Sequence, residues 1–248
     1  MAEETTTTTE RAEGPRGAAP ALARPVLLGR KVGMLQHFRE DGTVVAATVI
    51  STEANVVTQV RTPQRDGYAA IQIGYGRVRA GRGSSAHADA RTSQGEPGRV
   101  PKHRMPKPAL GHLKGLPPLK YLREVRLDDV SGFERGQEIG VERFTSGDKV
   151  HVTGISKGKG FQGPVHLHHF MRGPKTHGSD HHRRQGSVGA GTTPGRVLKG
   201  LRMASHQGVD RVTVKNLEVL RADADRGILL VKGAVPGARN GIVLVRKA

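Results

Sequence analysis

The sequence predicts a mainly β protein: a closed or nearly closed antiparallel barrel with two long basic, Gly/Pro-rich extensions and little helix. Three observations carry this. Short runs rich in β-branched residues recur at close spacing, punctuated by Asp-Gly turns. Only two segments, 108–113 and 195–201, could hold a helix, and both are short. The charge is also divided unevenly along the chain. Residues 77–120 carry ten Lys/Arg against two acids, and residues 157–215 carry eleven against two. Those two segments therefore hold +17 of the formal +18, and the remainder of the 248 residues is almost neutral. The sequence thus divides into a neutral β core and two basic excursions.

Each element follows from its local pattern. Residues 1–24 are a Thr run followed by Ala, Gly and Pro, with four Glu and three Arg. This segment lacks the continuous apolar stretch of a secretory signal and the acid-poor composition of a mitochondrial presequence. It reads as a disordered cytosolic tail. Strand-like pattern begins at Val26, with 32–38 and 43–50 flanking Asp41-Gly42 as a hairpin. Segments 55–60 and 69–75 follow, separated by the Asp66-Gly67 turn, and the later strands are 121–127, 138–144, 149–155, 211–220, 228–231 and 242–245. The core is assigned to 25–76, 121–156 and 212–248. The first excursion is 77–120 and the second, longer one is 157–211. Together they make one domain from 25 to 248.

Composition removes several function classes. The chain has no Cys, so it has neither a disulfide framework nor a thiolate metal site. No run approaches 18 apolar residues, so nothing predicts a membrane span. Aromatic residues make up 3%, thin for a protein that reads bases on broad aromatic platforms. Glycine, at 34 residues, is about twice ordinary usage. A pI near 11.0 points to a polyanion. The segregation of that charge is more specific than its size. A solvated basic face would spread over strands and loops alike. Long basic loops self-repel in water and bury too little apolar surface to order themselves. Between phosphates the same residues neutralise charge, and glycine lets backbone approach RNA closely.

Three motifs compete with that reading. Gly158-Lys159-Gly160-Phe161-Gln162-Gly163 is a literal G-x-G-x-x-G after a predicted strand, with Asp180 further on. A dinucleotide site needs a helix opening at the third glycine inside a βαβ unit. Here Pro164 and then Gly173-Pro174 leave no room for one. His166, His168, His169, His177, His181 and His182 suggest a metal, but Arg172, Lys175, Arg183 and Arg184 surround them and one acid, Asp180, is near. Cationic neighbours oppose a dication, so these histidines are read as partners of phosphates or bases. The excursions hold four acids in all, Asp89, Glu96, Asp180 and Asp210, and supply no carboxylate pair for acid–base work. The sequence predicts no enzyme, no cofactor, no metal and no small-molecule substrate.

Several of these segments resemble one known family. They are 29–34 (GRKVGM) with Glu40-Asp41-Gly42, 148–161 (DKVHVTGISKGKGF), 186–200 (GSVGAGTTPGRVLKG), 211–218 (RVTVKNLE) and 229–237 (LLVKGAVPG). In this order they resemble the bacterial-type large-subunit ribosomal protein L-three family, from about residue 28 to 248. Residues 79–106 look like an expansion relative to shorter members. The resemblance implies a translation-protein-type β-barrel and a structural, rRNA-binding role in the cytoplasmic ribosome. The implied partners are 23S rRNA and neighbouring large-subunit proteins, with a part in early assembly. It also implies that the long extension reaches toward the peptidyl transferase centre. Its stem would set Lys157, Lys159, Arg172, Lys175, His177, Arg183, Arg184, Arg196, Lys199 and Arg202 against phosphates. Its tip would be Gly189, Ala190, Gly191, Thr192, Thr193 and Pro194. From the first excursion, Arg77, Arg79, Arg82, Lys102, Arg104 and Lys107 join the expected rRNA contacts. Some members carry an N-methylated Gln where Thr192 stands here, and Thr cannot undergo that modification. Two other functions use the same basic loops: a free RNA chaperone or nucleoid-type binder, and an RNA-modifying enzyme. The first would keep its loops mobile when bound. The second would need a cofactor pocket.

Overall fold

The computed structural model describes residues 25–78 and 105–248. The tail 1–24 and most of the expanded segment, with Arg79, Arg82, Lys102 and Arg104, lie outside the described residues. The architecture is mainly β with little helix. Twelve strands run in chain order among the described residues. They are β1 (Val26–Phe38), β2 (Val44–Ser51), β3 (Asn55–Arg61), β4 (Ala70–Arg77), β5 (Leu119–Arg126) and β6 (Glu138–Ile139), then β7 (Lys149–Ile155), β8 (Gly160–Gln162), β9 (Ser205–Gln207), β10 (Arg211–Asp223), β11 (Ile228–Lys232) and β12 (Ile242–Lys247). Three short helices accompany them: α1 (Pro63–Asp66), α2 (Lys107–His112) and α3 (Pro164–Leu167). None of these is long and apolar enough to cross a membrane.

Six strands pair antiparallel in the closed order β1-β12-β7-β10-β11-β2. The long β1 makes closure possible by serving two neighbours. Val26 to Arg30 pair with β12, and Arg30 to Phe38 pair with β2, with a register shift between Lys31 and Gly33 that bends the strand. Gly29 lies where the two pairings meet. A Cβ there would fall 2.5 Å from the Ile50 side chain, so the strands could not approach as they do. β7 and β12 alternate buried and exposed residues, the period-2 pattern of a strand with one face inward.

The second sheet runs β5-β4-β3-β6 and shares its core with the barrel. Leu27, Leu28, Ile50, Val152, Val231 and Val245 of the barrel pack in one cluster with Val57, Ile71, Ile73, Tyr75 and Val125 of the sheet. A polar clip fixes the joint. The Leu28 N–H donates to Asn55 Oδ1 at 2.8 Å, and Asn55 Nδ2 donates to Leu28 O at 3.0 Å and to Glu53 O at 2.9 Å. Asn55 thus acts as a strand's worth of partners for a stretch of β1 that β2 does not reach. The Tyr75 hydroxyl adds a bond to Ser51 O at 3.2 Å.

The structure departs from sequence expectation in four places. Residues 138–144, read as one strand, are the two-residue β6 followed by a 3-10 turn over Val141–Arg143. Ile139, Val141 and Phe144 are all buried, and their unequal spacing requires that turn. Residues 195–201, a helix candidate, form turns instead. Gly195 and Gly200 adopt φ of 65° and 86°, and no residue of the segment is buried to support a helix. The Asp66-Gly67 turn proves to be the end of α1, where Gly67 closes the helix at φ 80°. Finally, residues 105–120 return to the body of the fold. Leu113, which caps α2, and Leu119 of β5 form a small core with Val56.

Candidate nucleic-acid interface

The long extension leaves the barrel at the end of β7 and returns at the start of β10. Ile155 and Arg211 are register partners, so its two ends lie side by side. Ser156 N–H donates to Asp210 O at 2.8 Å, and Lys159 N–H donates to Gln207 O at 2.8 Å. β8 and β9 then pair as a two-stranded ribbon. Beyond the ribbon, side chains join the two legs. The His168 ring Nε2–H donates to Met203 O at 3.0 Å, and Gln185 Nε2 donates to Arg202 O at 2.6 Å. Between those joints, Gly173 N–H donates to His182 O at 3.1 Å, and the His182 Nδ1–H donates to Pro174 O at 2.8 Å. The extension therefore has a defined path with almost no core. No residue between Ile155 and Glu218 is buried.

Along that path lie the ten stem residues Lys157, Lys159, Arg172, Lys175, His177, Arg183, Arg184, Arg196, Lys199 and Arg202, all exposed. Among the described residues, none of them forms a salt bridge with a carboxylate. In the barrel and sheet, Arg39, Arg61, Arg77, Arg221, Lys232 and Lys247 have acidic partners, so internal pairing is confined to that part of the fold among the described residues. At the root, Lys31 of β1 stands beside the extension. Its ammonium donates to Val235 O at 2.6 Å and Gly237 O at 3.1 Å. Burial first, and the charge of Lys157 second, lower its pKa from the ordinary lysine value. Arg239 reaches over Gly33 in the same neighbourhood. Sequence reading did not single out Lys31, because it lies in a core segment and meets the extension only in three dimensions.

The tip, Gly189 to Pro194, is wholly exposed and uncharged. Its geometry is a tight reversal: Ser187 Oγ bonds Gly189 O at 3.0 Å, and Gly195 turns at φ 65°. From the first excursion, Arg77 sits at the end of β4, exposed and 3.6 Å from Glu138, so its charge is partly met within the protein. Lys107 opens α2 and is exposed.

The histidines do not converge. Among the described residues, no group of three His, Cys, Asp or Glu is placed to hold a metal ion. His168 and His182 tie backbone to backbone, and His181 lies 3.4 Å from an Arg184 guanidinium nitrogen. The glycine motif at 158–163 also resolves. A helix does open after Gly163, but α3 has four residues and follows an antiparallel ribbon rather than a parallel βαβ unit.

Comparison with known proteins agrees with this layout. The profile of the family described as ribosomal protein L3 matches residues 129–227. The large ribosomal subunit protein uL3 of Herpetosiphon aurantiacus is 45% identical over 224 residues, spanning 90% of this chain and 95% of that protein. The chain belongs to the ribosomal protein L3 family. Other L3 relatives are equally near. The uL3 of Acidothermus cellulolyticus is 47% identical over 225 residues, 90% of this chain and 91% of its own. That of Alkaliphilus metalliredigens is 44% identical over 222 residues, 89% and 95% respectively. L3 is a family of structural rather than enzymatic proteins.

Proposed function

We propose that this chain is a structural constituent of the large ribosomal subunit. It works in the cytoplasm and binds 23S rRNA directly through the extension over 157–211. The barrel, of the translation-protein type, serves as the anchor, and the extension carries the tip at Gly189–Pro194 toward the peptidyl transferase centre. Neighbouring ribosomal proteins complete its surroundings, and its binding supports early subunit assembly. One observation carries the reading: an ordered segment in which ten exposed basic side chains have no acidic partner among the described residues. The described residues do not meet this charge, and a phosphate backbone would supply its counterpart at the right density. A free chaperone would need no such cross-braced path, so the joints at His168, His182 and Gln185 favour a fixed site.

The test has two parts. The purified chain should remain with large subunits through a high-salt wash. Its affinity for 23S rRNA should fall steeply with salt. Neutralising about 8 phosphates gives a slope of log K against log salt near −6 to −7, at ~0.7–0.9 per phosphate. A slope shallower than about −2 would mean that the basic extension is not the binding surface.

A further inference from the structure

We infer that the β8–β9 ribbon is a stacking platform for an unpaired base of the bound rRNA, with Phe161 and His206 as its surface. The inference rests on the rRNA-binding reading above and adds to it a contact that phosphate neutralisation does not provide.

The aromatic residues are few and mostly spoken for. The chain has five Phe and three Tyr. Tyr75, Phe133 and Phe144 are buried, and Tyr68, Tyr121 and Phe170 are half-buried. Only Phe38 and Phe161 are exposed, and Phe161 is the more open, at 74%. Phe38 sits at the far end of the β1–β2 hairpin, opposite Val44, whereas Phe161 stands within the basic stem.

Its neighbours define what it can bind. Phe161 and His206 are direct register partners across the ribbon, so both side chains belong to one face of it. His206 is exposed as well. The opposite face carries Gln162 and Gln207, both half-buried, which turns the ring-bearing face outward. The ribbon is held in shape by the Lys159 N–H bond to Gln207 O and by the Gln162 side chain, which donates to Lys159 O. Lys157 and Lys159 lead into β8 just ahead of Phe161, exposed and without carboxylate partners among the described residues.

A benzyl ring has nothing to offer a phosphate. Its exposure to water is unfavourable, and contact with another flat apolar surface is favourable. In a strongly cationic setting, the flat surface that brings its own negative charge is a nucleobase on its backbone. The rings take the base and the lysines take the adjoining phosphates, a combination suited to unpaired rather than duplexed RNA.

The test uses the full chain and a full-length 23S rRNA transcript. Phe161→Ala is expected to weaken binding about 5- to 150-fold, the range for loss of one stacked base. The slope of log K against log salt should stay unchanged, because no charge is removed. Lys159→Ala should instead lower the slope by about 1. Phe161→Leu keeps most of the apolar volume without a flat face and should bind nearly as weakly as Ala, while Phe161→Tyr should bind as wild type. The chain has no Trp, so Phe161→Trp introduces a single indole. Its fluorescence should be quenched by the transcript but not by inorganic polyphosphate, a polyanion without bases. Phe161 is exposed, so the melting temperature of each variant should match wild type.

Wild-type affinity in Phe161→Ala, or equal quenching by polyphosphate, would overturn the platform, and Phe161 would then be free to face a neighbouring protein. Full binding by Phe161→Leu would also overturn it, since apolar volume alone would be enough. Failure of the wild type itself to bind the transcript with steep salt dependence would bring down the rRNA reading, and the platform with it.

Discussion

Asn55→Ala should be the most costly single polar substitution in the body of the protein. Asn55 is fully buried, and its amide satisfies both the N–H and the C=O of Leu28, itself fully buried. The third partner, Glu53 O, belongs to an exposed residue and can turn to water instead. Alanine therefore strands two buried backbone groups, each at ~1–3 kcal/mol, for a total of about 2–6 kcal/mol. That is a large share of the 5–15 kcal/mol that typically holds a domain together. Urea unfolding followed by circular dichroism reads it directly. With a slope of about 2 kcal/mol per molar, the midpoint should drop by roughly 1–3 M. Asn55→Asp keeps the acceptor for Leu28 N–H but sets a carboxylate against two carbonyls. It should be as damaging at neutral pH and recover as the pH falls and the group gains a proton to donate. A midpoint shift under about 0.5 M for the alanine variant would refute the idea that Asn55 completes the pairing of β1.

Four further outcomes are expected at other sites. Asp148 is bound by Lys247 at 2.7 Å and by the Thr145 N–H at 3.0 Å, and although burial pushes its pKa up, these bonds prevail and hold it below the ordinary 3.8. Its contribution is therefore present above that ordinary value and lost as pH falls through the depressed one; Asp148→Asn should melt below wild type at neutral pH and converge with it in acid. Gly208 turns at φ 82°, and a Cβ there would run into the Lys157 carbonyl, so Gly208→Ala should free the Lys159 and Ser156 amides to exchange at least about tenfold faster while the barrel's melting temperature stays put. Unchanged exchange at Lys159 would show that the root tolerates displacement. At the tip, Gly191 has open space around it, so Gly191→Trp should leave folding and subunit incorporation intact but slow peptidyl transfer or alter sensitivity to drugs of that centre. The double change Arg183→Ala with Arg184→Ala should weaken incorporation itself, as measured by the fraction of subunits that contain the protein.

The strands were legible because alternation and β-branching are local, and seven of the core strands both begin and end within a residue or two of where the pattern puts them. What escaped was set by contacts between distant residues. The three-residue strands β8 and β9 have no pattern of their own; their pairing is imposed by the ends of β7 and β10 standing together. α3 is a single turn begun by Pro164, shorter than any periodicity can reveal. The path of the extension depends on rings and amides bonding to carbonyls up to 35 residues away, as His168 does with Met203. Charge segregation marked the extension as the candidate interface without any of that detail, since net charge survives ignorance of the path. Lys31 and Phe161 show the cost: each acquires its role only beside a partner, Lys157 or His206, that the linear order keeps apart.

The pairing of β1 with β12 also has a consequence in time. Phe38 and Ile242 are separated by about two hundred residues, so at 5–20 residues per second a ribosome needs roughly 10–40 s to make the second strand after finishing the first. The hairpin of β1 and β2 can form at once, but the ring cannot shut until the final strand emerges. The cationic extension, encoded between them, is therefore presented to the surroundings while its anchor is still open. Any polyanion that captures it early does so before the barrel exists, and nascent chains stalled short of β12 should be the most prone to form such contacts.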